Sequence, residues 1–282
     1  MKVKRFLLLF LCAVMLFSMV ACSGETTSKS AESTDASASS TASTEPSSAD
    51  ASEAQSNTGY SQGQIVSTEP TGIVSSKDSM IVVVPADPGS LDPHDSVTQN
   101  KHQSTRQIYE TLVVYDDDGN LIPWLAESWE YADDCTINFK LREGVKFHNG
   151  DELTADDVVS SIAYAQSYPA SMTYTGSIAS AEAVDPYTVK ITTSSPTPNL
   201  LYDLAYHYNM ILPKSLIDSG NDFSANPVGT GPYKFTAWNK GNSITFEAFD
   251  EYFDETRKPS IPNLEFVIIP EGSTRTMSLE SG

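Results

Sequence analysis

The four histidines are the side chains in this sequence best suited to metal binding or proton transfer, and their spacing favours neither. They stand far apart, at His94, His102, His148 and His207, and no two of them are separated by four residues. A metalloprotease helix requires that separation to bring both rings to one metal ion. We therefore predict no metal site and no cofactor.

Nucleophilic and phosphate chemistry lack their usual motifs as well. The chain contains no G-x-S-x-G turn for a serine nucleophile and no dinucleotide fingerprint. Gly229 and Gly231 flank Thr230. A phosphate loop must lead into the N-terminus of a helix, and Pro232, which follows directly, argues against such a helix here. Acid pairs such as Asp133–Asp134 are abundant, and a glycosidase pair is defined by separation in space. An exported surface hydrolase that uses an acid pair stays open as an alternative function.

Charge restricts the partners of the chain. The 282 residues carry a formal net charge of −20, from 37 acidic and 17 basic side chains. Such a surface repels phosphate backbones and anionic lipid headgroups. We therefore expect no nucleic-acid partner.

The N-terminus reads as an export signal followed by a tether. Lys2, Lys4 and Arg5 precede an apolar run over 6–20, which is shorter than the roughly 20 residues that a spanning helix needs. The end of the run and the next two residues form a Met-Val-Ala-Cys sequence, over 19–22, that resembles a bacterial lipobox, so we predict lipidation of Cys22. Residues 23–62 contain no Leu, Ile, Val, Met, Phe or Trp. A segment that buries so little side-chain surface is expected to be a disordered spacer.

Alternation and turn residues predict a mixed strand and helix content beyond the tether. Met80–Val84 is predicted to be a buried strand, and Cys135–Arg142 a strand whose alternation places the Cys135 thiol in the core. Thr154 and Asp157 form a capping-box start for a helix. The remaining predicted elements are a helix over 96–111, an acidic hairpin turn over 116–120, a hairpin around 149–150, a strand over 184–193, a helix over 200–205, a strand over 209–212, an antiparallel pair over 233–247, a strand over 264–269 and a helix from Ser273.

Several short motifs together resemble the family 5 solute-binding proteins of bacterial ABC importers, which take up peptides and, in some members, nickel or sugars. Each motif is weak alone, but they follow one another in the family's order and cover essentially everything from Met80 onward. The matching stretches are Ser90–His94, Ile108–Leu112, Asp118–Gly119, Pro123–Trp129, Phe139–Asp151, Thr154–Val158 and Pro227–Tyr233.

The resemblance implies a function and a set of candidate ligand-binding residues. It implies a lipid-anchored receptor on the extracytoplasmic face of a cell membrane, typical of Gram-positive bacteria. Such a receptor delivers di- or oligopeptides to an ABC permease and is not an enzyme. Nickel, haem or oligosaccharide ligands stay open as alternatives on the same scaffold. The residues implied near the ligand are Asp87, Pro88, Gly89, Tyr174, Gly229, Thr230 and Gly231.

The resemblance also implies a fold class and a domain division. The expected fold is α/β, of mixed α+β character, similar to type II periplasmic binding proteins. Members run to about twice the mature length of this chain, so the first lobe is expected to be largely present and the second mostly missing. The predicted division is a signal peptide over 1–21, a tether over 22–79, the first lobe over 80–258 and the start of the second lobe over 259–282.

Overall fold

A computed structural model describes residues 77–96 and 98–281 of the protein. The predicted signal peptide, most of the tether and the lipidation site at Cys22 lie outside the described residues. The described part contains two four-stranded sheets, a two-stranded hairpin and several helices. The predicted α/β class with mixed α+β character is confirmed.

The first sheet brings together both ends of the described chain. Its strands lie in the order β1 (Ser79–Val84), β10 (Asn263–Ile268), β9 (Ser243–Ala248) and β8 (Tyr233–Asn239). β1 runs parallel to β10, and the other two pairs are antiparallel. β10 falls within the range 259–282 that the sequence assigns to a second lobe, yet it shares this sheet with β1. The predicted domain boundaries themselves stay predictions.

Met80–Val84 forms a strand as predicted, but the prediction that this strand is buried is wrong. β1 lies at an edge of its sheet, so it has a strand neighbour on one side only. The Ile81 side chain is 64% exposed and Met80 is 45% exposed, whereas Val84 is buried. An apolar β-branched run predicts a strand, but it does not reveal how many neighbours cover that strand.

The second sheet has the order β4 (Ala126–Asp133), β5 (Thr136–Leu141), β7 (Thr188–Thr193) and β6 (Ile178–Asp185). The single strand predicted over 184–193 is instead a hairpin, because the chain reverses at Pro186 between β6 and β7. Cys135 is also misplaced by the prediction. It lies in the turn before β5 as a half-buried free thiol, and not on the buried face of the strand.

Short elements connect the sheets. The acidic turn joins β2 (Val113–Tyr115) to β3 (Leu121–Pro123) in the predicted hairpin. The hairpin predicted around 149–150 is reduced to one bridge between Lys146 and Glu152. The helices are α1 (Gln99–Ile108), α2 (Ala155–Gln166), α3 (Met172–Thr175), α4 (Leu200–Leu204), α5 (Lys214–Asp218) and α6 (Gly272–Ser281).

The start of α2 follows the sequence signal closely. The Asp157 carboxylate accepts the Thr154 backbone N–H at 2.8 Å, which forms the predicted capping box. Such caps satisfy N–H groups that have no partner within the helix. The same carboxylate accepts the backbone N–H of Lys214 at 2.7 Å and so links α2 to α5.

The strand predicted over 209–212 is absent from the described structure. A short 3₁₀ turn occupies His207–Asn209, and the chain then runs extended without a strand partner. Its backbone N–H groups bond elsewhere: that of Ile211 donates to the Glu110 carbonyl at 2.8 Å, and that of Leu212 donates to the Ser161 hydroxyl at 2.8 Å. These bonds attach the segment to the chain just after α1 and to the middle of α2.

Two hydrophobic clusters form the core. One packs β4, β5 and β7 against α2 and contains Phe139, Leu141 and Val158. The other packs the first sheet against α1 and contains Ile108, Phe246 and Phe266. The chain between α1 and β2 runs beside both, since Tyr109 belongs to the second cluster and Leu112 to the first.

Candidate functional site

A buried polar network fixes the loop that follows β1. The Lys101 ammonium is fully buried and donates to the backbone carbonyl of Asp92 at 2.7 Å. The two ring nitrogens of His94 lie 2.9 Å from the carbonyl oxygen of Tyr208 and 3.0 Å from that of Met210. The loop therefore helps to position the segment around Tyr208, which carries several aromatic rings.

Five rings from three segments pack together, and we call them the aromatic cluster: His102, Tyr174, Tyr206, His207 and Tyr208. The Tyr174 and Tyr206 rings stack at 4.6 Å with an interplanar angle of 13°, and Tyr174 stacks on Tyr208 at 4.9 Å. The ring centroids of His102 and His207 are 3.3 Å apart. Tyr206 retains 39% exposure, so this part of the cluster faces solvent.

His207 is buried without polar partners. Its side chain is 8% exposed, and neither ring nitrogen has a hydrogen-bond partner among the described residues. Burial, reinforced by His102 and Arg106, lowers the pKa of His207 to about 3. Burial also lowers the pKa of His102 to about 4. Both rings are therefore neutral at physiological pH, and His207 offers one unused donor and one unused acceptor.

His207 lines a cavity of about 370 Å³. This volume lies within the range of small-molecule sites in proteins. Other side chains on its lining are Arg106, Glu110, Tyr115, Trp124, Tyr252 and Arg257. Both ring nitrogens of His207 are inaccessible, so His207 contributes ring surface to the cavity wall and not hydrogen bonds.

Glu110 is a buried acid that closes one part of the cavity. Its carboxylate accepts hydrogen bonds from Trp124 Nε1 at 2.9 Å, from the Thr230 hydroxyl at 3.0 Å and from the Tyr252 hydroxyl at 2.6 Å. Burial raises the pKa of Glu110 to about 7, against the opposing effect of these donors. The bonds tie together four distant parts of the chain.

Arg257 contributes a second cation to the cavity lining. Its guanidinium lies 4.6 Å from the centre of the Trp124 ring, within cation–π range, and 3.8 Å from the Asp254 carboxylate. The indole is thus held at its N–H by Glu110 and on its face by Arg257. Trp124 is 9% exposed and is a structural part of the cavity wall.

The predicted residues Asp87, Pro88 and Gly89 form a tight turn against the β8–β9 hairpin. Asp87 accepts hydrogen bonds from Trp238 Nε1 at 3.2 Å, from the Gly241 backbone at 2.6 Å and from the Gly89 backbone at 2.9 Å. Pro88 is buried, and Gly89 is exposed with φ +74°. The Asp87 carboxylate is thus occupied by protein donors, and a ligand role for this turn stays a prediction.

The predicted residues Gly229, Thr230 and Gly231 pack against the end of α1. A Cβ atom at Gly229 would collide with the Ile108 carbonyl oxygen, and one at Gly231 would lie 2.5 Å from the Gln107 carbonyl oxygen. The backbone of this turn therefore approaches α1 too closely for any side chain. Thr230 is fully buried and bonds to Glu110.

His148 holds the same turn from the other side. Its backbone N–H donates to the Gly229 carbonyl at 2.9 Å, and its Nε2–H donates to the Gly231 carbonyl at 2.9 Å. Burial lowers the pKa of His148 to about 4, so the ring is neutral at physiological pH. The motif histidine thus has a structural role here.

Of the predicted ligand residues, only Tyr174 belongs to the aromatic cluster. Thr230 reaches the cavity indirectly through Glu110, and no hydrogen bond joins either to Asp87 in the described structure. The sequence prediction missed the other four rings of the cluster together with Arg106 and Glu110. The run Tyr206-His207-Tyr208, three rings in succession before a buried apolar stretch, is the signal that could have indicated them.

Two negative findings apply to the residues that the structure describes. They contain no group of three or more His, Cys, Asp or Glu side chains arranged to hold a metal ion. No helix among them has the length and apolar character needed to cross a membrane.

Comparison with known proteins identifies the family. Residues 120–282 match the model described as bacterial extracellular solute-binding proteins, family 5 Middle. The chain belongs to this family. Among curated relatives, it is 33% identical over 201 residues to the glutathione-binding protein GsiB of Pectobacterium atrosepticum. The aligned region covers 68% of this chain and 38% of GsiB.

Solved structures of periplasmic binding proteins have the same fold as the described chain. AgaA from A.tumefacien R10, in complex with agropinic acid, matches with a TM-score of 0.68 and 32% identity, over 72% of this chain and 42% of AgaA. DppA from Helicobacter pylori, in complex with the peptide STSA, matches with a TM-score of 0.65 and 29% identity, over 73% of this chain and 46% of DppA. The chain thus spans less than half the length of these relatives, and the expectation of a partial type II binding-protein lobe is confirmed.

Proposed function

We propose that this protein is the solute-binding component of an ABC importer and binds a small solute, of the di- or oligopeptide class, against the aromatic cluster. In this proposal the tether carries a lipid at Cys22 that holds the protein on the extracytoplasmic face of the cell membrane. The bound solute is delivered to the transmembrane permease. Solute capture and delivery need no chemical conversion.

The observation that carries the proposal is the exposed stack of tyrosines next to the cavity. Tyrosine rings that carry hydroxyl groups, close to a cavity lined by Arg106 and Glu110, suit a ligand that has both polar groups and flat or apolar surface. A peptide has both, because its main-chain amides donate and accept while its side chains pack on rings. The similar proteins GsiB, which binds glutathione, and DppA, in complex with the peptide STSA, support this class.

The proposal includes a second lobe that closes over the cluster. The relatives are more than twice as long as the matched part of this chain, and binding between two lobes requires hinge closure. The predicted division puts the first lobe over 80–258 and the second from 259; because β10 lies between β1 and β9 in the first sheet, we propose that the second lobe begins after β10. The open face of Tyr206 is the surface that the second lobe and the solute would cover.

The alternative of a surface hydrolase gains no support from the best-placed acid. Glu110 is the buried acid with a raised pKa in the cavity, but both its oxygens already accept hydrogen bonds from protein donors. A general acid or base must be within hydrogen-bond reach of a reacting group. We therefore assign Glu110 to the support of the cavity and not to chemistry.

Calorimetry on the complete protein tests the proposal. Solute that co-purifies is identified by mass spectrometry, removed by partial unfolding and refolding, and titrated back into the wild type and a Tyr206→Leu variant. We expect binding without turnover and a loss of about tenfold in affinity for Tyr206→Leu, because the ring stack is removed. Tyr187→Leu, at the β6–β7 turn outside the cluster, is the matched control and should bind like the wild type. Chemical conversion of the solute would contradict the proposal. So would an affinity of Tyr206→Leu equal to that of the wild type and of Tyr187→Leu.

A further inference from the structure

The His94 ring lies between two hydrogen-bond acceptors. One ring nitrogen is 2.9 Å from the Tyr208 carbonyl oxygen, and the other is 3.0 Å from the Met210 carbonyl oxygen. A neutral imidazole has a single N–H, so it can donate to only one of these oxygens and would point a lone pair at the other. Turning the ring over about its Cβ–Cγ bond would present carbon atoms to both oxygens. Only the imidazolium ion, with an N–H on each nitrogen, satisfies both acceptors.

His148 shows the arrangement that suits a neutral ring. Its Nε2–H donates to the Gly231 carbonyl at 2.9 Å, while its Nδ1 accepts the Gly229 backbone N–H at 3.4 Å. The one donor and the one acceptor of a neutral imidazole therefore each find a partner. His94 is fully buried and has no such match, because both of its partners are acceptors.

The charged groups that face His94 also favour an imidazolium. In its own loop, the buried Asp92 carboxylate accepts the His94 backbone N–H at 2.8 Å. From α1, the Lys101 ammonium pairs with the Asp95 carboxylate at 2.7 Å. From α2, the Tyr164 ring packs edge-on against His94 at 5.8 Å, and its hydroxyl donates to Asp92 at 2.7 Å. Lys101 balances one of the two carboxylates, so a charged His94 balances the other.

Burial opposes the charge on this ring. Burial lowers the pKa of His94, whereas Asp92 and the carbonyls of Tyr208 and Met210 raise it, and Lys101 lowers it further. Loss of the proton would leave one carbonyl without a donor. It would also leave Asp92 as a buried carboxylate with no ion pair of its own among the described residues. Both changes are costly in a buried position.

The two carbonyl groups belong to the segment that carries part of the aromatic cluster. Tyr208 stacks on Tyr174 at 4.9 Å, and its hydroxyl lies 3.0 Å from His102 Nε2. Met210, two residues further on, lines the cavity. The imidazolium therefore attaches both ends of this three-residue segment to the loop after β1. A neutral ring would release one end.

We propose that His94 is a buried imidazolium that positions the aromatic cluster for solute binding, and that the cluster loosens when the ring loses its proton. Because His94 is fully buried, it acts through the Tyr208–Met210 segment and not by contact with the solute. The effect on binding rests on the proposed function, whereas the charge of the ring does not. The charged form holds the segment, so solute affinity falls as the pH rises through the titration of His94.

Nitrogen NMR of the complete protein with isotope-labelled histidine tests the charge directly. The signals that disappear in a His94→Gln variant identify the His94 ring, and His148→Gln identifies the His148 ring in the same way. At pH 7 we expect a proton on both nitrogens of His94 and on Nε2 alone of His148. If His94→Gln does not fold, the signals that shift in Tyr164→Phe identify the His94 ring, since the two rings are in contact.

The same spectra test the positioning of the cluster. When the pH is raised to 9.5, His94 should lose one N–H. The His102 signals should shift with the same midpoint, because His102 contacts Tyr208. The His148 signals, which come from a ring outside the cluster, should not follow this midpoint.

Calorimetry with the tripeptide Ala-Phe-Ala as the probe measures the consequence for binding. At pH 7 the wild type should bind about threefold or more tightly than His94→Gln, because the variant loses a charge-assisted hydrogen bond to the segment. At pH 9.5 the ratio of the two affinities should approach one. The ratio removes titrations common to both proteins, including that of the amino group of the probe.

Three results would overturn the inference and leave the proposed function standing: a single N–H on His94 at pH 7, His102 signals that do not follow the His94 titration, or an affinity ratio that is the same at both pH values. If Ala-Phe-Ala binds neither protein, the peptide class in the proposed function is wrong. The NMR titrations of His94 and His102 then decide the inference without a ligand.

Discussion

The Glu110 carboxylate accepts a hydrogen bond from the Tyr252 hydroxyl at 2.6 Å, across 142 residues of sequence. The same acid accepts from the Trp124 indole and the Thr230 hydroxyl, so one buried group connects two side chains of the cavity lining, Trp124 and Tyr252, to the Gly229–Gly231 turn. Its three donors stabilise the ionised form, whereas its burial disfavours that form. Burial is the larger effect, and it raises the pKa of Glu110 to about 7.

The first prediction concerns the pH dependence of stability through Glu110. Its folded pKa is about 7 against an ordinary value of 4.5, so the folded state binds the proton more tightly than the unfolded state. The contribution of Glu110 to the free energy of unfolding is therefore present below about pH 4.5 and is lost as the pH rises toward 7. We expect this loss to amount to about 3 kcal/mol.

Glu110→Gln tests this by mimicking the protonated acid. Denaturant unfolding gives the free energy of unfolding of the variant and of the wild type at pH 5 and at pH 8. The difference, variant minus wild type, should be about 2–3 kcal/mol larger at pH 8 than at pH 5. Histidines whose pKa is lowered make the free energy of unfolding rise with pH, which is opposite to the effect of Glu110. The variant is therefore compared with the wild type at each pH, because the histidines contribute equally to both. Glu127→Gln, at an exposed position on β4, is the control. A difference independent of pH would show that Glu110 titrates normally.

The second prediction concerns the close approach of Gly231 to α1. Its backbone N–H donates to the Ile108 carbonyl at 2.8 Å, and a Cβ atom would lie 2.5 Å from the Gln107 carbonyl oxygen. Because backbone atoms on both sides must move, Gly231→Ala should lower the free energy of unfolding by about 2–4 kcal/mol.

Gly272→Ala is the matched control, because a Cβ there meets only the far end of the Arg275 side chain, 3.5 Å away. It should be neutral or slightly stabilising, since α6 gains a better helix former. Thermal and denaturant unfolding measure both variants. Equal stability of the wild type and Gly231→Ala would contradict the packing described for this turn.

Two elements, β5 and α2, show that local sequence signals predict local structure well. In β5, alternation predicted that Ile137, Phe139 and Leu141 share a buried face, and all three are buried. The Thr154–Asp157 capping box predicted the start of α2 to the residue. Both signals are local, because the side chains that produce them lie within a few residues of one another.

The candidate site could not be predicted in the same way, because its contacts are not local. His102 lies 3.0 Å from the Tyr208 hydroxyl across 106 residues, and no periodicity links two such positions. The resemblance to a family indicated Tyr174 but attached equal weight to Asp87, whose carboxylate the β8–β9 hairpin occupies. The prediction that β1 is buried was wrong for a related reason, since the number of strands beside β1 depends on the topology of the whole sheet.

The third prediction concerns the buried ammonium of Lys101. It donates to the Asp92 carbonyl, to the Asp95 carboxylate at 2.7 Å and to the Ser96 hydroxyl at 3.1 Å. Lys101→Met preserves most of the side-chain volume but leaves these acceptors without a donor. We expect a loss of about 3 kcal/mol in the free energy of unfolding, because breaking a buried pair strands the remaining charge.

The exposed pair of Lys190 with Glu182 supplies the comparison, and Lys190→Met should cost less than about 1 kcal/mol. Adding Asp95→Asn to Lys101→Met should recover part of the loss, since the uncompensated carboxylate is then removed. A double-mutant cycle by urea unfolding measures the coupling. Additive effects would indicate that Lys101 acts through packing alone.

The fourth prediction concerns the protonation of His148. The ring donates from Nε2 to the Gly231 carbonyl at 2.9 Å, and burial lowers its pKa to about 4. Since the folded pKa lies below the ordinary 6.5, the stability that His148 contributes is present above pH 6.5 and is lost as the pH falls toward 4. Nitrogen NMR of the imidazole should show a neutral ring, protonated at Nε2, at pH 6. His148→Gln should lose less stability than the wild type between pH 7 and pH 4.5. A His148 titration midpoint near 6.5 would mean that the Gly229–Gly231 turn opens to water at acidic pH, and the turn could not then be a fixed support for Thr230 and Glu110.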